Sequence, residues 1–172
     1  MRRDLTVLMS LAKSMKVDPA KLLMTDPKRV LILCTGNSAR SQMAEGLFRR
    51  ETGESCEVFS AGTKPSQVRP EAIVAMSEIG IDISGHRSKS VDEFIGQEFD
   101  YVITVCDHAK ELCPVFPGRT KHLHWSFDDP AAVQGSEEER KAAFRTIRDE
   151  LHERIRFFLN ETAITLNQKM KA

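Results

Sequence analysis

No apolar run in the sequence approaches the roughly 20 residues of a membrane-spanning helix, and there is no internal repeat or low-complexity stretch. Neither charge is in excess. Lys and Arg together number 25, as do Asp and Glu, for a formal net charge of zero. That balance counts against a general nucleic-acid binder, which carries a basic surplus. The four cysteines, Cys34, Cys56, Cys106 and Cys113, stand at none of the short intervals of structural zinc sites. No secretion signal is read either. The apolar run behind Arg2 and Arg3 covers only Leu5 to Ala12, Lys13 and Lys16 break it, and no small-residue cleavage site follows. A reducing, cytoplasmic setting is therefore expected, in which cysteines serve catalysis more often than they staple a fold.

What is present fits one domain with a modest extension. The chain has 172 residues, 41% hydrophobic and 29% charged, enough apolar content for a real core. Residues 1–28 read as an N-terminal helical extension, with Leu5, Leu8, Met9, Leu11 and Ala12 on an amphipathic stripe. Through residue 29, seven basic side chains against three acidic ones give a net +4. Packing or solubility is the role expected of it, and residues 29–172 then form the catalytic domain.

Val30-Leu31-Ile32-Leu33 has the unbroken apolar pattern of a parallel strand covered on both faces, and Tyr101 to Val105 repeats it. Glu57–Ser60 and Lys121–Trp125 are weaker strand candidates. Met43, Ala44, Leu47 and Phe48 share a helical face that Gly53 ends, and Pro70 to Gly80 predicts a second helix. Ser90 with Glu93, and Ser136 with Glu139, form capping boxes, the latter ahead of Phe144, Ile147, Leu151, Ile155 and Phe158. The order strand, helix, strand, helix, helix, strand, strand, helix predicts an α/β fold with a parallel sheet flanked by helices.

The chemistry concentrates behind the first strand, in Cys34-Thr35-Gly36-Asn37-Ser38-Ala39-Arg40-Ser41. A strand-to-helix loop aims several backbone N–H groups at one point, and the helix dipole adds positive potential there. Gly36 permits close approach of the backbone, Asn37 tolerates left-handed dihedrals, and the planar fork of Arg40 grips a tetrahedral anion. Residues 35–40 thus form an oxyanion cradle. The same field is expected to lower the Cys34 thiol from about 8.5 to well below 7, with Ser41 donating to its sulfur. Cys34 is then a nucleophile, for phosphatase or for arsenate chemistry. Either needs an acid for the departing oxygen, and Asp129 of Asp128-Asp129-Pro130 is the choice.

If the strand ending at Cys106 neighbours the first, Cys34 and Cys106 flank one crevice. Cys113 stands seven residues on. In a helix the two Cα atoms would be about 10 Å apart, too far for a disulfide, so a bond between them requires that segment to unwind. Cys56 reads as structural. His122 and His124 lack a cysteine or carboxylate at ligand spacing and read as ordinary strand residues. His86 and His108 are assigned no role.

Residues 34–46, Ser60-Ala61-Gly62, Cys106 to Pro114 and His124 to Ala131 resemble the thioredoxin-coupled arsenate reductases, which share the fold of low-molecular-weight protein tyrosine phosphatases. The resemblance implies a four-stranded parallel sheet and a relay. Cys34 attacks arsenate held by the loop and Arg40, Asp129 protonates the leaving oxygen, and Cys106 attacks Cys34 as arsenite leaves. Cys113 then attacks Cys106, and thioredoxin reduces the Cys106–Cys113 disulfide. It implies no tightly bound cofactor, no nucleic-acid or membrane partner, and a monomer. Three departures stand out. Ala39 occupies a position that often carries a second loop cysteine. Asn37, Glu45 and Ser60 match a potassium set found in some members, but its Asp position is Lys89, whose ammonium replaces the ion, so no metal is expected. The extension before Val30 has no counterpart. The rival enzyme is the low-molecular-weight tyrosine phosphatase, which needs no Cys106/Cys113 pair and usually has a tyrosine where Ala131 stands. A rival of another class is a redox-regulated binding protein using the cradle as a sensor, which would need no proton donor at Asp129.

Overall fold

The apolar run Val30–Leu33 lies at the centre of strand β1 (Lys28–Cys34), and all four of its side chains are fully buried. The computed structural model describes residues 27–162, so the extension expected over 1–28 falls outside the described residues except for its last two. β1 pairs in parallel with β2 (Cys56–Gly62) on one side and β3 (Tyr101–Thr104) on the other, and β3 pairs with β4 (Lys121–His124). The strand order is β2-β1-β3-β4. Because side chains alternate across a strand, Val30 and Ile32 face one layer while Leu31 and Leu33 face the other.

The first layer contains helices α1 (Arg40–Thr52), α2 (Pro70–Ser77) and α4 (Glu137–Thr162). Met43, Leu47, Met76, Phe144, Leu151 and Ile155 interdigitate there, each contributing roughly 1.5–3 kcal/mol by burial. Phe48 stacks on Trp125 with centroids 6.2 Å apart, and Phe158 meets both edge-on. On the second layer Phe59, Phe94, Phe99 and Phe116 form a chain of tilted and edge-to-face rings. No helix among the described residues is long and apolar enough to cross a membrane.

The local punctuation follows the sequence closely. Gly53 adopts φ 51° and donates its N–H to Arg49 O, ending α1. Ser136 and Glu139 exchange their capping bonds at the start of α4. Two corrections are needed. The Ser90–Glu93 capping box forms, but it opens only the 3₁₀ turn Val91–Phe94 rather than a longer helix, because Ile95 returns to extended backbone. And a short helix α3 (Asp107–Glu111), absent from the predicted element order, follows β3 directly. Five residues are too few to display a helical period, so periodicity does not reveal it.

Candidate active site

Cys34 is the last residue of β1 and Arg40 the first of α1, so the cradle is the loop 35–39 between them. Asn37 is the one non-glycine residue with positive φ among the described residues (45°), and it reverses the chain sharply enough to bring its own N–H 3.1 Å from Cys34 Sγ. Asn37 is fully buried, and its side chain joins three elements. Its Nδ2 donates to Ser41 Oγ (2.9 Å) and to Ser60 Oγ (2.8 Å), while its Oδ1 accepts from Gln42 Nε2 (2.9 Å) and Lys89 N (2.7 Å). Ser41 Oγ lies 2.9 Å from Cys34 Sγ. Since that oxygen already accepts from Asn37, its hydrogen is left for the sulfur.

The segment after β2 fixes the loop's polarity. The carbonyls of Cys34, Thr35, Gly36 and Ser38 accept from the backbone N–H groups of Thr63, Lys64, Ser66 and Arg69 at 2.8–3.2 Å. The Asn37 carbonyl accepts from Gln42 Nε2 and Ser88 Oγ. In a trans peptide the following N–H points opposite to its carbonyl, so five outward carbonyls present five N–H groups, of residues 35–39, on the other side. Gly62 makes this packing possible: a Cβ there would lie 2.6 Å from Thr35 O and 2.9 Å from Asn37 N. Sequence reasoning named the loop but missed Gln42, Ser88 and segment 63–69, whose contribution is mostly backbone and leaves no residue signature.

Arg40 donates to Phe127 O (2.8 Å) and lies 3.4 Å from Asp129 Oδ2, so the fork and the proposed acid meet over one end of the cradle. Asp129 Oδ1 also accepts from Ala131 N (3.2 Å), capping the turn Pro130–Ala132. The enclosure of Cys34 alters the expectation for its thiol. Burial pushes the thiol up and outweighs the bonds from Ser41 and Asn37 that pull it down, with Cys106 nearby raising it further. A thiol held well below its ordinary value is not what the structure supports, because burial outweighs the hydrogen bonds to the sulfur. Cys56 is buried and pushed up to about 11, chiefly by desolvation, which fits a structural role.

β1 and β3 are neighbours, as the crevice requires, and Val105 N donates to Leu33 O at 2.8 Å. Cys106 Sγ lies 3.4 Å from Thr35 Oγ1, which joins the second thiol to the cradle. The two relay cysteines do not share a helix. Cys106 is the N-cap of α3, and Cys113 lies beyond its C-cap Leu112, half-buried against the second layer. All four cysteines are free thiols. His124 is more than an ordinary strand residue. Its Nε2 lies 2.9 Å from Asp107 Oδ1 and its Nδ1 2.8 Å from Thr104 Oγ1, tying the first residue of α3 to β4. Bonds from His124 and Ser126 hold the Asp107 carboxyl below its usual range.

Glu45 is buried, accepts from Ser60 Oγ, and lies 2.5 Å from Arg49 and 3.3 Å from Lys89 Nζ. Two cations already compensate the one carboxylate, and Lys89 occupies the fourth ligand position, so the set does not fit a potassium ion. No cluster of metal-ligating side chains occurs among the described residues. Lys89→Ala is expected to lower the unfolding free energy by roughly 1.5–3 kcal/mol, the usual worth of a hydrogen bond to a charged group. Urea denaturation checks this, and an unchanged midpoint would mean that Arg49 alone suffices for Glu45.

The family described as Low molecular weight phosphotyrosine protein phosphatase matches residues 29–171. The chain is 47% identical over 131 residues to an arsenate reductase of Halalkalibacterium halodurans, covering 76% of this chain and 94% of that protein. A solved arsenate reductase in the oxidized state superposes with a TM-score of 0.67 and 33% identity, covering 78% of this chain and 98% of the other. The thioredoxin-dependent arsenate reductase of Corynebacterium glutamicum gives a TM-score of 0.63 and 29% identity, over 86% of this chain and 67% of that one.

Proposed function

The chain belongs to the low molecular weight phosphotyrosine protein phosphatase family, and from that premise we propose that it is an arsenate reductase working through a relay of Cys34, Cys106 and Cys113. The observation carrying this reading is the second thiol at the cradle. Cys106 Sγ touches Thr35 beside Cys34, and a third thiol, Cys113, follows just beyond the C-cap of the short helix α3. Hydrolysis of a phosphate ester would use neither.

The N–H groups of residues 35–39 and the Arg40 fork hold the arsenate oxygens. Cys34 Sγ attacks arsenic, and Asp129 protonates the oxygen that leaves. Cys106 then attacks Cys34 Sγ. The arsenic–sulfur electron pair stays with arsenic, which falls from the +5 to the +3 state, and arsenite departs. Two thiols have supplied the two electrons, leaving a Cys34–Cys106 disulfide. Cys113 attacks Cys106 Sγ and frees Cys34. The resulting Cys106–Cys113 disulfide lies on a segment that has to open, and thioredoxin is the proposed reductant, with the cytoplasm the proposed setting and a monomer the proposed state. Residues 1–28 take no part in this scheme.

Arsenate-dependent NADPH oxidation in the presence of thioredoxin and thioredoxin reductase tests the reading. Wild-type protein is expected to turn over. Cys113→Ser is expected to stop after one equivalent of arsenite, with Cys34 and Cys106 joined. Sustained turnover by Cys113→Ser would overturn the relay. Strong aryl-phosphate hydrolysis without arsenate turnover would make the protein a phosphatase.

A further inference from the structure

We infer that His122 is the general base that takes the proton from Cys113 for the second thiol exchange, an inference that rests on the relay proposed above. Three observations carry it. First, the attacking species in thiol–disulfide exchange is the thiolate, and Cys113 is poorly placed to become one unaided. It is half-buried against the aromatic layer around Phe116, and that burial pushes the thiol up.

Second, the partners of Cys113 Sγ among the described residues are two: Pro114 O at 3.6 Å and His122 Nδ1 at 3.9 Å, both within reach for sulfur. A carbonyl holds the S–H in place but does not take its proton, whereas a neutral imidazole does. Cys34 and Cys106 are served differently. The Cys34 sulfur is met by Ser41 and the Asn37 N–H, and Cys106 by the Thr35 hydroxyl. Of these three thiols, Cys113 is the one with an imidazole nitrogen among its hydrogen-bond partners.

Third, the base and the thiol are mounted on different parts. His122 is held by β4 in register with Val102, and its ring lies against Phe116 with centroids 6.4 Å apart. Cys113 is on the segment behind α3 that must rearrange before its sulfur meets Cys106. The proton is therefore given up at the sheet edge, before the segment moves. His122 is exposed, so the proton passes on to water.

The step balances. Nδ1 accepts the proton of Cys113, and the thiolate attacks Cys106 Sγ in the Cys34–Cys106 disulfide. The Cys106–Cys113 bond forms as the Cys34–Cys106 bond breaks. Cys34 leaves as a thiolate received by Ser41 and the Asn37 N–H. One disulfide replaces another, so no outside oxidant or reductant enters.

The test uses the full chain, reduced and given arsenate without thioredoxin, with acid quenching, alkylation and disulfide mapping by mass spectrometry over time. Wild-type protein is expected to pass through Cys34–Cys106 to Cys106–Cys113. In His122→Ala and His122→Gln, the Cys34–Cys106 species is expected to accumulate, its conversion slowed about 10²-fold, the lower end for loss of a general base. Free imidazole is expected to speed conversion in His122→Ala. Conversion at the wild-type rate in both variants would overturn the inference. So would full recovery in His122→Gln with no imidazole effect, which would make the ring a packing group. If wild-type protein forms neither disulfide, the relay fails and the inference falls with it.

Discussion

Cys34→Ser is expected to abolish arsenate reduction, by about 10⁴- to 10⁶-fold, while leaving the fold intact. The size follows from what the sulfur does: it forms the bond to arsenic and then accepts attack by Cys106, and a hydroxyl does neither. No other thiol sits where the N–H groups of residues 35–39 converge. Cys106 is held at the Thr35 hydroxyl, and Cys56 is buried at the start of β2. Stability is expected to change little, because serine keeps a hydrogen-bonding atom for Ser41 and the Asn37 N–H at a fully enclosed position. Arsenite production measured against a urea melt of the same sample separates the two effects. Residual turnover within 100-fold of wild type, or a lowered melt that accounts for the loss, would remove Cys34 from its place as nucleophile.

The raised Cys34 thiol bears on how that nucleophile is made ready. Burial costs a thiolate its hydration, and the two donors, Ser41 and the Asn37 N–H, recover part of it. The guanidinium that the sequence assigned to this task donates to Phe127 O and pairs with Asp129 at 3.4 Å. Activation of Cys34 thus rests on the two donors that touch its sulfur, Ser41 and the Asn37 N–H.

The sequence made much of this legible because its strongest signals are local. Val30–Leu33 and Tyr101–Val105 announce buried strands by composition alone, and the loop from Cys34 to Ser41 carries its chemistry in consecutive residues. What it hid is of two kinds. Backbone partnerships, such as the Lys64, Ser66 and Arg69 N–H groups on the loop carbonyls, can be made by almost any residue and leave no pattern. Side-chain partnerships across long sequence distances, such as Asn37 with Ser60 and Lys89, or Cys113 with His122, depend on register between strands and loops that pattern does not encode. His122 and His124, two residues apart, share one face of β4 as a strand reading expects, yet each meets a different residue of the Cys106–Cys113 segment once β3 and β4 pair.

Arg40→Lys is expected to lower kcat/KM for arsenate by about 10²- to 10³-fold, the range seen when one preorganised oxyanion donor is removed. The charge is retained, so a loss of this size would come from geometry. A guanidinium presents several N–H groups in a fixed plane, and Arg40 uses that breadth: one nitrogen donates to Phe127 O while another faces Asp129 Oδ2. An ammonium has a single nitrogen and cannot hold both while also meeting an oxyanion bidentately. Arg40→Ala is expected to lose more, since the Asp129 carboxylate then faces the anion with no cation between them. The link to Asp129 makes a double-mutant cycle decisive. If Arg40 both grips the anion and positions the acid, Arg40→Lys and Asp129→Asn lose less together than the sum of their separate losses in free energy. Additive losses would mean that the two act independently. A near wild-type Arg40→Lys would mean that only its charge is used.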